Sequence, residues 1–310
     1  MLVFVAGATG VLGRASVREL IAAGHEVRGA SRSGANAAIL RELGATPVSV
    51  DLFDPASARE AVAGCDAVAH LATKIPPLMK MRSRKAWVEN DRIRRDVTKN
   101  LVDAALAADA KTFVVESITF VYGDGGDEWI DEDFPVKPAW TALDSTFDLE
   151  REAKRFAESG GKAVILRFGL FYGPDAQSTL DSAKLARRRM LPVIGKGQNY
   201  FSSIHHDDAA RAVVAALDAP GGTYNVVEDD PVRQVEYAAA FREAIGAPKS
   251  MRMPRWLGKL FVGGPANYIL QSQRISNRRF KEATGWAPSY PRVRDGFRQV
   301  AEQMAKADAN

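Results

Sequence analysis

The chain has one cysteine, Cys65, in 310 residues, so no internal disulfide is available and a reducing compartment is expected. No apolar run approaches the roughly 18 residues that a membrane span requires. The first such run, Leu2–Ala6, is too short for the apolar region of a secretory signal and has no basic flank. The expected location is therefore the cytoplasm, with no membrane partner. Histidine is scarce as well. The one suggestive run, His205-His206-Asp207-Asp208, points adjacent side chains in divergent directions, and no further ligand cluster accompanies it. No metal is expected; Asp207 or Asp208 reads instead as the cap of a helix over 209–217. An excess of charge of one sign is also nearly lacking, at a net +4. Basic clusters at 81–85, 92–95, 187–189 and 278–279 are diluted by nearby acids and have no interleaved aromatics. They read as solvated helix faces or as a greeting for an anionic small molecule, and nucleic acid is not an expected partner.

What is present is alternation. Short, continuously apolar runs at 2–6, 25–30, 46–50, 67–71, 112–116 and 163–167 are separated by stretches of helical character at 11–23, 36–43, 84–108 and 149–158. A further helix is started by Asp54-Pro55. Strands that alternate with helices imply βαβ units, and strands that are apolar on both faces imply a sheet covered on both sides. Right-handed crossovers then make an α/β, doubly wound parallel sheet the simplest topology. Beyond residue 178 the pattern turns irregular. The expected organisation is a dinucleotide-type domain over 1–177 and a smaller mixed α/β lobe over 178–310, interleaved near the ligand edge. The acidic, then Pro- and Trp-rich stretch 124–142 reads as a long loop at the carboxyl edge of the fifth strand, where open α/β sheets bind ligands. Its Trp129 and Trp140 are candidates for lining an apolar substrate pocket.

The most informative motif is Gly7-Ala8-Thr9-Gly10-Val11-Leu12-Gly13, which closes the first strand and opens the first helix. Glycine permits a tight turn and a close approach of backbone to a pyrophosphate, and the free N–H groups of the helix start favour the anion. Thr9, Val11 and Leu12 supply the intervening amides. At the end of the second strand, where a site selective for NAD carries Asp or Glu, the chain has Ser31-Arg32. A guanidinium there can pair with the 2′-phosphate of NADP. NADP(H) is thus the expected cofactor, ahead of NAD(H). Asp51, followed by Leu52 after the third strand, is placed either to bond the adenine amino group or to cap the next helix.

These pieces, together with His70-Leu71-Ala72-Thr73, the run from Glu116 to Tyr122-Gly123, Leu166 to Gly173-Pro174, Ile204 to Ala212 and Gly285-Trp286-Ala287-Pro288, resemble the extended branch of the short-chain dehydrogenase/reductase superfamily. The resemblance covers nearly the whole chain. It implies a Rossmann fold, a cofactor lined by Leu71, Ala72 and Thr73, a small-molecule substrate over the C-terminal lobe, and possible homodimers. It also exposes a departure. Members carry Tyr-x-x-x-Lys on the helix after the fifth strand, the tyrosine moving the substrate's proton and the lysine lowering its pKa. This chain has no such pair; Ala142 and Thr146 fall at that register. The partner serine is Ile118, and an asparagine of the fourth helix is Arg94, with Asn100 retained. The chain thus resembles the atypical members. The remaining candidates for proton transfer are Ser117, Thr119 and Tyr122, a water, or the substrate itself. The expected activity is an NAD(P)-dependent oxidoreductase or epimerase-like enzyme on a carbonyl or carbinol substrate. The alternative is an NADP(H)-binding sensor or scaffold without chemistry.

Overall fold

From Val3 to Ala6, every side chain of the first strand, β1 (Leu2–Ala6), is buried. A run that is apolar on both faces needs cover on both, and the chain supplies it in two helical layers. The computed structural model describes residues 1–77, 80–137, 143–262 and 270–309. After β1 come α1 (Val11–Ala22), β2 (Glu26–Ser31), α2 (Gly34–Glu42), β3 (Thr46–Ser49), α3 (Pro55–Val62) and β4 (Ala67–His70). Ser33 caps α2, and the Asp54 carboxylate accepts the Ala56 N–H to cap α3, with Pro55 in the first turn. The expected long helix follows as α4 (Arg84–Arg92), a π turn over Ile93–Val97, and α5 (Thr98–Ala107). Then come β5 (Thr112–Ile118), the two-residue β6 (Trp129–Ile130), α6 (Asp144–Glu158) and β7 (Lys162–Phe168). Helix α6 starts earlier than the sequence pattern suggests. Its first turns, Asp144-Ser145-Thr146, are poor helix formers, but Ser145 and Thr146 are buried there against α4 and the π turn.

The central sheet has seven strands in the order β3-β2-β1-β4-β5-β7-β12, all parallel. This is the doubly wound sheet that the alternation implied, with one more strand than the sequence runs showed. Strand β12 (Gly222–Val226) contains Thr223 and Asn225, so it never reads as an apolar run. The Asn225 N–H donates to the Glu132 carboxylate at 2.8 Å. One core layer joins Val3, Val5, Val114 and Leu166 to α1 and α8 (His206–Ala216). The other joins Phe4, Ala6, Phe113 and Val115 to α3, α5 and α6.

Around this sheet the remaining short strands pair off. β8 (Leu170–Tyr172) pairs with β11 (Ser203–His205), β9 (Val193–Ile194) with β14 (Arg252–Met253), and β10 (Tyr200–Phe201) with β13 (Val232–Arg233). Within 124–142, β6 pairs with β15 (Arg274–Ile275), and Trp129 lies half-exposed under the Arg274 guanidinium, 4.2 Å from its ring centre. Trp140 and Ala142 lie outside the described residues. A third apolar cluster binds α7 (Gln177–Arg187), α9 (Gln234–Ala244) and α12 (Val293–Ala309) through Ala183, Phe241 and Phe297. Helices α10 (Arg255–Val262) and α11 (Arg278–Thr284) complete the lobe. Asp207 and Asp208, in the first turn of α8, do not cap it as the sequence suggested. His205 does, its Nδ1 accepting the Asp207 N–H. Asp208 instead accepts the Ser289 and Tyr290 N–H groups at 2.8 and 3.0 Å, stapling the C-terminal segment to α8. Among the described residues, no helix is long and apolar enough to cross a membrane, and no three His, Cys, Asp or Glu side chains gather to hold a metal.

Candidate functional site

The three glycines of the first loop do three different jobs. Gly7 has φ +81°, and a Cβ there would lie 2.7 Å from the backbone of Ala72. A Cβ on Gly13 would lie 2.0 Å from the Gly7 carbonyl, so the helix can pack on the strand only without one. Gly10 differs. It is exposed, its N–H donates to the Gly7 carbonyl at 2.9 Å, and a Cβ there would meet only that carbonyl, at 3.2 Å. The interior does not require a glycine at position 10. No side chain caps α1 and no acid occupies its first turn, so its amino end, around Val11 and Leu12, faces out with its partial positive charge unanswered. Thr9, half-buried, gives its carbonyl to Arg14 at 3.2 Å.

The neighbouring turns line up along the same carboxyl edge, in the order β3-β2-β1-β4. Ser31 is buried, its hydroxyl donating to the Ser33 carbonyl at 3.0 Å, while Arg32 is exposed and among the described residues has no ionic partner. After β3, the exposed Asp51 carboxylate accepts the Phe53 N–H at 2.9 Å. It does not cap α3, since Asp54 holds that position. The Leu52 carbonyl is held by Asn100 at 3.0 Å, so the retained asparagine fixes this turn. After β4, the Leu71 N–H donates to the Ala6 carbonyl at 2.9 Å, and Ala72 and Thr73 follow half-buried beside Gly7. All the expected cofactor positions thus fall on one contiguous stretch of sheet edge. Their residues fit a dinucleotide: an open cradle for a pyrophosphate, a free cation for a further phosphate, and a carboxylate for an amine.

The three proton-transfer candidates sit one strand further on, on β5 and in the turn that follows it. Ser117 is buried, and its hydroxyl donates to Glu150 of α6 at 2.6 Å. Glu150 holds Arg167 of β7 through both oxygens, at 2.7 and 2.9 Å. Arg167 donates to the Tyr122 hydroxyl at 2.8 Å, and Tyr122 donates to Asn225 of β12, also at 2.8 Å. Burial pushes Tyr122 up to about 12, with Arg167 pulling the other way. Ser117 and Tyr122 are therefore brought together, but in a closed chain. Thr119 is buried at the start of a short 3-10 turn, where its carbonyl accepts the Tyr122 N–H.

Two residues near this point were given no role by the sequence. Arg94, buried in the π turn, donates to Thr146 at 2.5 Å, so a guanidinium and a threonine occupy the ground assigned by resemblance to Asn and Lys. Glu116, on β5, is nine-tenths buried, and burial raises it to about 7 while Arg94 lowers it. A charged residue inside an apolar strand run was the available signal. His70, at the end of β4, bonds Thr98 at 3.1 Å, and burial and then Arg94 lower it to about 4, so it is neutral at pH 7. A depression of about 390 Å³ near Lys154, Lys162 and Gly222 lies at the opposite, amino edge of the sheet and gathers no chemistry.

With this geometry in view, residues 3–227 match the model of the NAD dependent epimerase/dehydratase family. The chain belongs to that family. A 3-diazoavenalumate denitrifying reductase from a Streptomyces species is 32% identical over 96% of this chain and 99% of that protein. Among solved structures, human epimerase family protein SDR39U1 with NADPH superposes with a TM-score of 0.78 at 24% identity, covering 97% of this chain and 99% of that one. Thermus thermophilus UDP-glucose 4-epimerase with NAD does so with 0.80 at 23%, covering 99% and 100%. Below 25% identity, these two likenesses speak for the fold. Membership of the family makes the fold a Rossmann one and the cofactor a nicotinamide dinucleotide.

Proposed function

We propose that this protein is an NADP(H)-preferring oxidoreductase of the epimerase/dehydratase family, acting in the cytoplasm on a small carbonyl or carbinol compound. The observation that carries it is the contrast among the glycines. Gly7 and Gly13 are demanded by packing, whereas a Cβ on Gly10 would meet only the Gly7 carbonyl, at 3.2 Å, and the open side of this uncapped helix start suits a pyrophosphate. The amides from Gly10 to Gly13 would hold the pyrophosphate, Asp51 the adenine amine, and Leu71 to Thr73 the far ribose. Arg32 would pair with the 2′-phosphate, and no acid stands beside it to claim the ribose hydroxyls or repel that phosphate. Preference for NADP(H) rests on this residue, since the solved relatives carry NADPH in one case and NAD in another. When bound, the nicotinamide supplies or accepts a hydride. The reductase name of the Streptomyces relative supports reduction as the chemistry. A sensor without turnover is favoured by one observation, the closure of Ser117 and Tyr122 within their own network.

Titration of the purified protein with NADPH and with NADH, followed by cofactor fluorescence, tests the reading. Tight binding of NADPH and weak binding of NADH are expected, and oxidation of NADPH by a carbonyl compound separates enzyme from sensor. Binding of neither nucleotide would overturn it.

A further inference from the structure

Strand β5 divides its side chains between the two layers. Phe113 and Val115 join the layer under α5 and α6, and Val114 joins the layer under α1 and α8. Ser117 continues the first set, as its bond to Glu150 of α6 confirms. Glu116 continues the second, on the face of the sheet that carries α1 and its uncapped start. Its register is informative. On one side it stands opposite Leu166 of β7. On the other, the β4 ladder ends with His70 opposite Val115, so the next residue along, Leu71, opens the cofactor turn beside Glu116. The carboxyl is therefore at the carboxyl edge of the sheet, next to the turn that touches the glycine loop.

Glu116 is 9% exposed, and among the described residues no hydrogen bond or ion pair reaches its carboxyl. Its neighbours Ser117, Tyr122, Glu150 and Arg167 spend their polar atoms on one another instead. A buried polar group left without a partner costs stability, and such a group persists where a ligand completes it. The charged groups around it come from three elements. The charge of Arg94 in the π turn opposes the effect of burial on it, His70 on β4 is neutral, and Glu150 on α6 is neutralised by Arg167 on β7. A π turn inserts an extra residue into a helix and often marks a working site; here it carries Arg94 with its side chain buried.

We propose that Glu116 is the acid–base residue of this site, exchanging the proton that accompanies hydride transfer, with Arg94 as a cation that acts on it. The proposal rests on the NAD(P)-dependent reading above. In the reducing direction the carbonyl carbon gains a hydride from the reduced nicotinamide, and the C=O π pair moves to oxygen. The O–H bond of the Glu116 carboxyl breaks and its proton joins that oxygen, giving an alcohol, the oxidised nicotinamide and a carboxylate that water reprotonates. Oxidation runs the same steps backward. Burial holds the carboxyl near 7, where it serves as donor and acceptor alike.

The test needs no substrate. NADP+ brings a cationic ring to the site and NADPH a neutral one. At pH 7 a carboxyl with a pKa near 7 is about half protonated. Binding of NADP+ in weakly buffered solution should then release up to about half a proton more per site than binding of NADPH, read with a pH indicator. Glu116→Gln should bind both nucleotides and lose this difference. In infrared titration of the protein alone, the protonated-carboxyl band that Glu116→Gln removes should fade around pH 7. With Arg94→Met it should fade at higher pH, and with Arg94→Lys near the original one. An unchanged proton difference in Glu116→Gln would overturn the acid–base assignment. A band that Arg94→Met leaves in place would reduce Arg94 to a packing residue. If the wild-type chain bound neither nucleotide, the reading of the function would fail first, and this proposal with it.

Discussion

The two halves of the sheet's carboxyl edge treat their polar groups in opposite ways. Along β3, β2, β1 and β4, the groups are left open: an uncapped helix start, an exposed arginine with no ionic partner among the described residues, an exposed carboxylate with only a local turn to hold. Along β5, β7 and β12, Glu116 apart, they are spent on one another, in a buried chain from Ser117 through Glu150, Arg167 and Tyr122 to Asn225. Water satisfies open groups cheaply, and they can be handed to a ligand. Buried groups must be satisfied within the protein, and once they are, they rigidify the core. Each half can be broken separately.

The closed half should give the largest effect. Arg167 and Glu150 are 6% and 4% exposed. Arg167→Met leaves a carboxylate buried without its partner, at a cost of about 3–5 kcal/mol in unfolding free energy. Urea denaturation of the variant checks this. Adding Glu150→Met should restore much of the loss, because the pair's own net contribution is small once both charges are gone. A single variant within about 0.5 kcal/mol of wild type would mean that the network is not closed in solution.

Next comes a dependence on pH. The Glu228 carboxyl is buried between the Tyr172 and Ser203 hydroxyls, and burial pushes it up to about 8. Its pKa is raised on folding, so the stability it contributes is complete at low pH and is lost as pH rises from the ordinary 4.5 through about 8. Glu116 acts in the same sense, up to about 7. His70, lowered to about 4, does the reverse: its contribution is complete above its ordinary 6.5 and is lost as pH falls toward 4. Unfolding free energy should therefore decline between pH 6 and pH 8 by on the order of 1 kcal/mol per unit, and Glu228→Gln should flatten that decline. An unchanged slope in the variant would show that another group sets it.

In the open half, the fold should survive while binding does not. Gly10→Val projects into the cradle and should weaken NADPH by at least a hundredfold, about 2.7 kcal/mol, with an unchanged far-ultraviolet spectrum and melting temperature. Gly13→Ala forces a Cβ to within 2.0 Å of a carbonyl and should lower stability as well as binding. The two variants together separate a glycine kept for a ligand from one kept for packing. Equal behaviour would remove the distinction on which the cofactor reading stands.

The sequence made the open half legible and left the closed half hidden, for a physical reason. Loop chemistry is local: glycines at 7, 10 and 13 and an arginine at 32 carry their meaning within one turn of chain. The parallel sheet was equally readable, because burial on both faces leaves an uninterrupted apolar signature at β1, β4 and β5. The polar network was not. Tyr122 and Asn225 are 103 residues apart, and nothing in either neighbourhood announces the other. The same distance hid β12, whose polar residues make sense only once their partners arrive. It also hid the meeting of Arg94 with Thr146, across 52 residues. Asp208 looked like a local cap, but its carboxylate holds backbone 81 and 82 residues away.

The smallest effect is also the most selective. Arg32 is exposed at the end of β2 and makes no ion pair among the described residues, so Arg32→Asp should change stability by no more than about 0.5 kcal/mol. Its effect on binding has two parts of opposite sign. NADPH loses a phosphate partner and gains a repelling carboxylate, which should weaken it about tenfold, or about 1.4 kcal/mol. NADH gains an acceptor for its ribose hydroxyls and should bind somewhat more tightly. Salt sharpens the test. An exposed guanidinium and a phosphate are screened by ions, so added salt should weaken wild-type binding of NADPH more than that of NADH, and Arg32→Asp should remove that excess. An unchanged NADPH preference with an unchanged salt response would take the selector away from Arg32. The remaining basis for discrimination would then lie in Ser31 or in the turn after β3, while the glycine cradle would keep its role.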